Sequence, residues 1–426
     1  MAHHTLKSSY QELADRLNRF PQGAPPTELL FKILKILFNE KEAHLVAQVP
    51  IKPFDAKTVS RIWKMDLTTT RKILEELAGR AILVDIERNG ESQYALPPPM
   101  AGFFEFSMMR IRGDIDQKVL SELFHQYLNV EEDFIKALFC TGETQLGRTF
   151  VHEPVLSNEN ALHVLDYERA SEVIKTSKHM GVGVCYCRHK MEHLGKVCDA
   201  PRDICMTFNT TAASLIRHGF ARRVDVQEGL DLLQSAYDHD LVQFGENVRN
   251  RVSFICNCCG CCCEAMLAQK RFGLLHPVHT TNFIPEINRA ECNGCGRCVT
   301  ICPVEAMALV SANDPKMPKR KVAKLDESMC LGCGLCVKAC TKDGITLKSR
   351  PERVITPLDG THKAVVMAIE RGKLQHLLFD NDALFSHRAL AAVFGVILKL
   401  PPIKQALASR QMKSRYLEYL ISHYKN

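Results

Sequence analysis

The sequence of 426 residues lacks any hydrophobic run long enough to cross a membrane; its most apolar stretch, 390–398, is far too short. No apolar core follows a basic start after Met1, so we expect no secretory signal peptide. The sequence also has no G-x-G-x-x-G motif, no P-loop and no C-x-x-C-H motif. Nicotinamide, flavin, nucleotide-triphosphate and c-type haem sites therefore have no support from sequence motifs.

Excess charge of one sign is also scarce. The net charge is +7, and residues 351–426 hold eleven Lys and Arg against six Asp and Glu. Composition therefore does not indicate a nucleic-acid-binding protein. The 46% hydrophobic and 24% charged residues are typical of a globular protein, with two to four domains at this length.

Cysteine, in contrast, is abundant. Of nineteen cysteines, eighteen lie between Cys185 and Cys340. Without a secretory signal, this number favours metal ligation in a reducing cytoplasm over disulfide bonds. We therefore expect a cytoplasmic metalloprotein whose metal chemistry is confined to the middle of the chain.

Two cysteine runs have the same spacing. They are Cys292-x2-Cys295-x2-Cys298-x3-Cys302 and Cys330-x2-Cys333-x2-Cys336-x3-Cys340. Three thiolates at this spacing can surround three corners of an iron–sulfur cube, and the glycines between them allow the positive φ angles that such a loop needs. Zinc patterns pair their cysteines two and two, so zinc sites and disulfides are disfavoured here.

The two runs resemble those of bacterial dicluster ferredoxins over residues 283–350. The resemblance implies that the fourth cysteine of each run binds the other cluster. One 4Fe–4S cluster would take Cys292, Cys295, Cys298 and Cys340, and the other would take Cys330, Cys333, Cys336 and Cys302. The second run has Thr341 where Pro303 follows the first, a difference that changes no ligand.

A second group of cysteines comprises Cys185, Cys187, Cys198 and Cys205. Four cysteines this close together predict a third 4Fe–4S centre, and the basic residues around them would offset its negative charge. His189 and His193 are spaced i, i+4, so a mixed Cys/His zinc site is the competing hypothesis. Buried structural thiols are the third interpretation.

A third group lies in one short segment and comprises Cys256, Cys258, Cys259, Cys261, Cys262 and Cys263. Six cysteines exceed the four corners of an iron cube, so we expect some to be ligands and others to be neighbouring or redox-active thiols. Cys258-Cys259-Gly260 is similar to the Cys-Cys-Gly element of heterodisulfide reductase subunits, which holds an unusual cluster. The segment predicts a fourth 4Fe–4S centre, or an atypical cluster that shares ligands with the second group.

The N-terminal region is predicted to be a winged helix. Asp66 is a plausible N-cap of a helix that ends at Gly79, and Asn89-Gly90 is typical of a type I′ turn between two strands. The presumed recognition helix carries Arg71 and Lys72 but also Glu75 and Glu76. DNA binding needs a one-sided basic surface, so docking or dimerisation is favoured, and nucleic-acid binding stays the alternative.

Taken whole, the chain resembles a group of proteins from anaerobes that combine a winged helix, a CxC…C…C segment, a CNCCGCCC string and a dicluster ferredoxin. We expect an α+β multidomain fold. Its parts are a winged-helix-like domain at 1–100, a mixed α/β cysteine-rich domain at 101–282, the dicluster domain at 283–350 and a C-terminal helical region at 351–426.

Isolated polar residues offer no further site. Cys140, beside Leu138 and Phe139, is predicted to be a buried small hydrophobe, and His152 and His163 have no sequence partner.

The apolar stripe of the last predicted helix consists of Tyr416, Leu417, Leu420, Ile421 and Tyr424. Packing onto the protein body is the favoured interpretation of this stripe, and peripheral contact with a membrane is the alternative.

These patterns favour an electron-transfer protein or redox subunit that carries at least two 4Fe–4S clusters and exchanges single electrons with a partner oxidoreductase. One alternative is an iron–sulfur redox-sensing transcriptional regulator that uses the winged helix. A second alternative is a thiol/disulfide reductase that acts at Cys256–Cys263. The sequence identifies no catalytic residue.

Overall fold

The computed structural model describes residues 7–88, 90–354, 356–380 and 385–399. The described residues divide into two compact units. The first contains the described residues up to Thr144, Ala213–Ala221 and the described residues from Asp359 onward; the second contains Gln145–Ala212 and the described part of Arg222–Leu358. The fold is a mixture of helices and several small sheets, as the α+β class predicts. The division into four domains stays a prediction.

The first unit begins with helices and a small sheet. In chain order these are α1 (Ser9–Arg19), α2 (Glu28–Leu37), α3 (Glu40–Ala47), β1 (Phe54–Asp55), α4 (Ala56–Trp63), α5 (Leu67–Gly79), β2 (Val84–Arg88), β3 (Glu91–Ala95), α6 (Phe104–Phe106), α7 (Gln117–His125) and α8 (Glu132–Phe139). The strands form an antiparallel sheet in the order β1-β3-β2, with Val84 opposite Ala95.

Local signals in the sequence explain these elements. The Asp66 side chain accepts a hydrogen bond from the Thr69 N–H and so caps α5, which ends at Gly79 as predicted. The predicted hairpin is also present as β2 and β3, although Asn89 of its turn lies outside the described residues. Trp63, at the end of α4, is buried and donates its indole N–H to the Leu45 carbonyl at 2.9 Å.

The second unit is built around an antiparallel sheet. Its elements up to the cysteine-rich segment are β4 (Gly147–Thr149), α9 (Asn158–His163), α10 (Ala170–Thr176), β5 (Met180–Val184), α11 (Tyr186–His193), β6 (Asp203–Phe208), α12 (Asn209–Arg217), β7 (Arg222–Arg223), α13 (Val226–Asp238), β8 (Val242–Glu246), β9 (Phe254–Cys258) and α14 (Glu264–Phe272). The sheet order is β4-β8-β9-β6-β5-β7. Helix α12 begins in this unit and its end is grouped with the first unit.

Two two-stranded sheets and two short helices follow. They are β10 (Phe283–Ile287), α15 (Arg297–Ile301), β11 (Met307–Ser311), β12 (Lys321–Leu325), α16 (Leu335–Ala339) and β13 (Ile345–Ser349). Strand β10 pairs with β13, and β11 pairs with β12, both antiparallel. This arrangement brings the beginning and the end of the predicted dicluster region together, because β10 lies at its beginning and β13 at its end.

The described C-terminal part returns to the first unit as α17 (Gly360–Glu370), α18 (Leu374–Leu378) and α19 (Phe385–Lys399). Ile51 packs there with Val365 and Leu377 in a buried apolar cluster. The apolar stripe at 416–424 lies outside the described residues. Among the described helices, none has both the length and the apolar character that a membrane span requires.

Candidate metal centres

The sheet of the second unit brings separate cysteine segments to one edge. Strand β6 lies between β5 and β9 and is antiparallel to both, so the end of β5, the beginning of β6 and the end of β9 meet. Cys185 follows β5, Cys205 lies on β6, and Cys256 and Cys258 lie on β9. The alternation of side chains along a strand places Cys256 and Cys258 on the same face.

Two helices add further thiols at this edge. Cys185 precedes the first turn of α11, which carries Cys187. Cys263 is the residue before the first turn of α14. The Sγ atoms of Cys263 and Cys258 are 3.1 Å apart, so the loop between β9 and α14 returns to the strand from which it started.

Six of these thiols form a closed ring in which each sulfur contacts two others. In order round the ring they are Cys185, Cys187, Cys263, Cys258, Cys256 and Cys205. We call this set the six-thiol ring. It takes three cysteines from the segment 185–205 and three from the segment 256–263, which are distant in sequence.

Hydrogen bonding between neighbouring sulfurs makes the pKa values alternate round the ring. Hydrogen bonds with Cys205 and Cys258 lower the pKa of Cys256 to about 5, and hydrogen bonds with Cys187 and Cys258 lower that of Cys263 to about 6. The pKa values of Cys187, Cys205 and Cys258 are raised, first by hydrogen bonds with their neighbours in the ring and then by burial. Ionisation of all six would bring six negative charges together and would need a positive partner, which a bound metal centre supplies.

The remaining four cysteines of the region form a separate group. Cys198, Cys259, Cys261 and Cys262 have sulfur atoms that all lie within 4.8 Å of one another. The Sγ–Sγ distances are 3.6 Å for Cys198–Cys259, 3.8 Å for Cys262–Cys198 and 3.7 Å for Cys261–Cys262. We call this set the four-thiol group. Cys262 is buried in it, and Cys261 is exposed.

A buried cation, Arg188, lies beside both sets. Arg188 is fully buried and donates to the carbonyls of Pro201 and Asn257, both at 3.0 Å. Burial alone would lower the pKa of Arg188, but the sulfurs of Cys185 and Cys259 raise it above its usual value. Its permanent charge therefore offsets the negative charge that thiolates or an iron–sulfur centre would bring.

A buried ion pair holds the two helices of the site together. Lys190 on α11 has no exposed side-chain surface, and its ammonium group contacts the Glu264 carboxylate in the first turn of α14. Breaking a buried pair of this kind leaves an uncompensated charge, which costs about 3–5 kcal/mol. Lys190 thus stabilises the protein frame, whereas Arg188 contacts the sulfurs.

The dicluster region forms two loops, each entered through glycines of positive φ. Gly294 and Gly332 have φ values of 69° and 70°, and a Cβ atom at either position would overlap the backbone of Lys321 or Phe283. Gly296 and Gly334, with φ values of 83° and 92°, precede α15 and α16. The positive φ angle favours glycine at all four positions, and at Gly294 and Gly332 the lack of space requires it as well.

The two cysteine runs exchange their fourth members. Cys340 lines the same pocket as the first three cysteines of the first run, Cys292, Cys295 and Cys298. Cys302, in turn, acts electrostatically on Cys330, Cys333 and Cys336. The structure thus brings together both of the sets that the resemblance implied, and their role as ligands stays a prediction.

Backbone amides point at the sulfurs of both loops. Ala323 N–H donates to Cys292 Sγ at 3.3 Å, and Ala306 N–H donates to Cys302 Sγ at 3.2 Å.

The two sets differ in burial. Burial raises the pKa of Cys330 to about 11 and that of Cys333 to about 12. Cys295 is exposed, so the second set lies in drier surroundings than the first. Hydrogen bonds and burial of this kind tune iron–sulfur potentials.

The cysteine-rich segment lies directly against the dicluster loops within the second unit. A Cβ atom at Gly260 would be 2.5 Å from the carbonyl oxygen of Pro303, the residue after Cys302. Gln269 on α14 donates to the Met329 carbonyl at 3.1 Å, just before Cys330. The cysteines of the two regions are therefore held in one packed body.

Other candidate residues take ordinary structural roles. Cys140 is half-buried at the end of α8, outside the cysteine sets. His152 is buried, and its ring lies 2.9 Å from the Leu241 carbonyl, so it has a partner that the sequence did not indicate. His163 offers its carbonyl to Arg353. Neither His189 nor His193 belongs to the four-thiol group.

Residues 291–343 match the sequence profile of the 4Fe-4S dicluster domain. The chain therefore contains an iron–sulfur, ferredoxin-like domain, and 4Fe–4S clusters are its cofactors. No curated protein matches the chain in a sequence comparison. The match lies inside the region 283–350 for which the sequence predicted this domain.

Sequence reasoning missed two features of the site. One is Glu264, whose partner Lys190 is seventy-four positions away. The other is Gly260, whose lack of a side chain permits contact with Pro303. The position of Glu264 directly after Cys263 was the available sequence signal for its role at the site. The contact of Gly260 depends on packing between distant segments, which no local pattern reveals.

Proposed function

We propose that the protein is an iron–sulfur electron-transfer protein, or a redox subunit, that exchanges single electrons with a partner oxidoreductase in the cytoplasm. Cubane clusters supply one-electron chemistry with little ligand movement. In this proposal one 4Fe–4S cluster is held by Cys292, Cys295, Cys298 and Cys340, and a second by Cys330, Cys333, Cys336 and Cys302.

The observation that carries the proposal is the contact between Gly260 and Pro303. Gly260 lies within the cysteine string, and Pro303 follows Cys302. Because a Cβ atom at Gly260 would come 2.5 Å from the Pro303 oxygen, no side chain separates the two segments. A bound centre in the cysteine-rich region would therefore neighbour the cluster that Cys302 binds.

The six-thiol ring is the proposed position of a third iron–sulfur centre. Its six sulfurs exceed the four corners of one cube, so the ring suits either a larger cluster or a cube with two extra thiols beside it. The role of this chain's own residues is to bring the thiols together and to surround them with charge. Arg188, which is fully buried, supplies a positive charge beside these sulfurs.

Counting the centres tests the proposal. The full chain, purified without oxygen, is expected to contain more than eight irons and to show magnetic interaction between reduced centres in electron paramagnetic resonance. The variant Cys256→Ser is expected to lose iron and acid-labile sulfide of the ring and to keep the eight irons of the ferredoxin-like domain, whereas Cys140→Ser, outside the sets, should lose none. An iron content of eight that Cys256→Ser leaves unchanged would refute a third centre.

A second candidate is a redox-sensing regulator that uses its N-terminal region as a winged helix. The observation that favours it is the succession of α4, α5, β2 and β3 with the sheet order β1-β3-β2. The exposed face of α5 carries acids and bases together, which weakens phosphate binding. Salt-dependent binding to promoter DNA that is lost in air would support the regulator, and its absence would support the electron carrier.

A thiol/disulfide reductase acting at Cys256–Cys263 is the third candidate. Cys261 is exposed and could meet a substrate, and hydrogen bonding to Cys262 lowers the pKa of Cys259 to about 4. Replacement of Cys259 would then abolish disulfide turnover while the ferredoxin-like domain kept its spectrum. An unchanged rate in the Cys259→Ser variant would exclude this activity.

A further inference from the structure

We infer that the four-thiol group binds a single tetrahedral metal ion, zinc or iron, rather than an iron–sulfur cube. The ligands are Cys198, Cys259, Cys261 and Cys262. This division separates the ten cysteines of the region into one mononuclear site and the six-thiol ring. The inference concerns metal content and does not depend on electron transfer.

The inference rests on the distances between the four sulfur atoms. A tetrahedral ion with metal–sulfur bonds of about 2.3 Å holds its four sulfurs about 3.8 Å apart. Three of the six Sγ–Sγ distances are 3.6 Å, 3.7 Å and 3.8 Å, and all six are within 4.8 Å. The four sulfurs are thus close enough together for one thiolate-bound ion to contact all of them.

The ferredoxin-like domain provides the internal comparison. In a cube each thiolate binds a different iron, so its four sulfurs must be spread more widely. All eight cysteines of the two runs are described, yet within the described residues the four-thiol group is the one set whose ligand atoms lie within 4.8 Å of each other. The four thiols are therefore held closer together than the thiols of either ferredoxin-like set.

The ligand type and the position define what the ion would do. Four thiolates in a tetrahedron select zinc or iron among common metals. All four positions are filled by protein, which is typical of a structural site and leaves no open position for a substrate. The ion would link the loop that contains Cys198 to the segment 259–262. The residues on either side of this loop and of this segment supply the thiols of the six-thiol ring.

Metal and sulfide analysis of the anaerobically purified full chain tests the inference. Cys261→Ala removes an exposed ligand, Cys198→Ala removes the ligand from the other segment, and Cys140→Ala is the matched control. Each ligand variant is expected to lose one ion per chain, zinc or iron, and no acid-labile sulfide. The control should keep the metal content of the wild type.

Two results would overturn the inference. Loss of iron and sulfide in equal amounts would show a cube at this site, and an unchanged metal content in both variants would show that no ion is bound. If a variant fails to fold, zinc-edge X-ray absorption and Mössbauer spectroscopy of the wild type decide the question. A zinc shell of four sulfurs at about 2.3 Å, or a Mössbauer signal of one sulfur-coordinated mononuclear iron beside the cluster signals, is expected. Absence of both signals would also overturn it. Failure of the proposed function would instead appear as wild-type protein without the iron of the 4Fe–4S clusters. The variants at Cys198 and Cys261 do not change that iron.

Discussion

A methyl group at Gly260 tests whether the cysteine-rich segment must lie against the ferredoxin-like domain. The added Cβ atom would come 2.5 Å from the Pro303 oxygen and 2.9 Å from its Cα atom. Ordinary contacts begin near 3.4 Å, so one segment must move by about 1 Å. Both neighbours are backbone atoms, which cannot rotate out of the way as a side chain would.

Forcing an extra group into a packed contact costs about 1–3 kcal/mol. For a unit of this size each kcal/mol lowers the melting temperature by about 2–4 °C. We therefore expect Gly260→Ala to lower the melting temperature of the second unit by several degrees. We also expect it to weaken the magnetic interaction between the centre of the six-thiol ring and the cluster at Cys302.

The control for this experiment is Gly79→Ala. A Cβ atom at Gly79 meets no atom within 4 Å, and the residue ends a helix of the first unit. Both variants are compared anaerobically by calorimetry and by relaxation of the electron paramagnetic resonance signals. If Gly260→Ala matched the control in both measurements, the inferred contact would not constrain the two regions.

Three further predictions concern stability and cofactor loading. Lys190→Met should lower the free energy of unfolding by about 3–5 kcal/mol, because the buried Glu264 carboxylate loses the positive charge of Lys190. Lys190→Met with Glu264→Gln should cost less, and denaturant titration measures both. Burial opposes ionisation of Asp85, but hydrogen bonds from His218, Ser214 and Arg217 hold its pKa well below the usual range. The wild type should therefore lose stability as pH falls below about 4, whereas Asp85→Asn should be less stable at neutral pH and lack this loss; melting curves across that pH range decide. Gly332→Ala should lose the iron of one cluster, since the loop needs its φ of 70°, and iron analysis should find the other cluster retained.

Local chemistry explains which elements were predictable from the sequence. A cap residue such as Asp66 acts on the amide three positions later, so its effect can be read without knowledge of the fold. The same holds for Asp225, whose side chain accepts from the Glu228 N–H at the start of α13. The spacing of the two ferredoxin-like runs is also a local signal, because three cysteines of each run follow one another at two-residue intervals.

The grouping of the other ten cysteines was not predictable in this way. Proximity in sequence placed Cys198 with Cys185, Cys187 and Cys205, whereas the structure places it with Cys259, Cys261 and Cys262. The reason is the sheet order: β9 lies next to β6, so the segment 256–263 reaches the segment 185–205 across the sheet. Strand order depends on packing between distant segments, which spacing does not encode.

The cysteine string contributes to both sets of thiols. Cys256, Cys258 and Cys263 belong to the six-thiol ring, while the three cysteines between them belong to the four-thiol group. Strand alternation places Cys256 and Cys258 on one face, and the turn at Gly260 separates them from Cys263, which precedes α14. A single cube would use only four of the ten thiols in this region. The proposal of two separate centres would instead give both sets a metal-binding role.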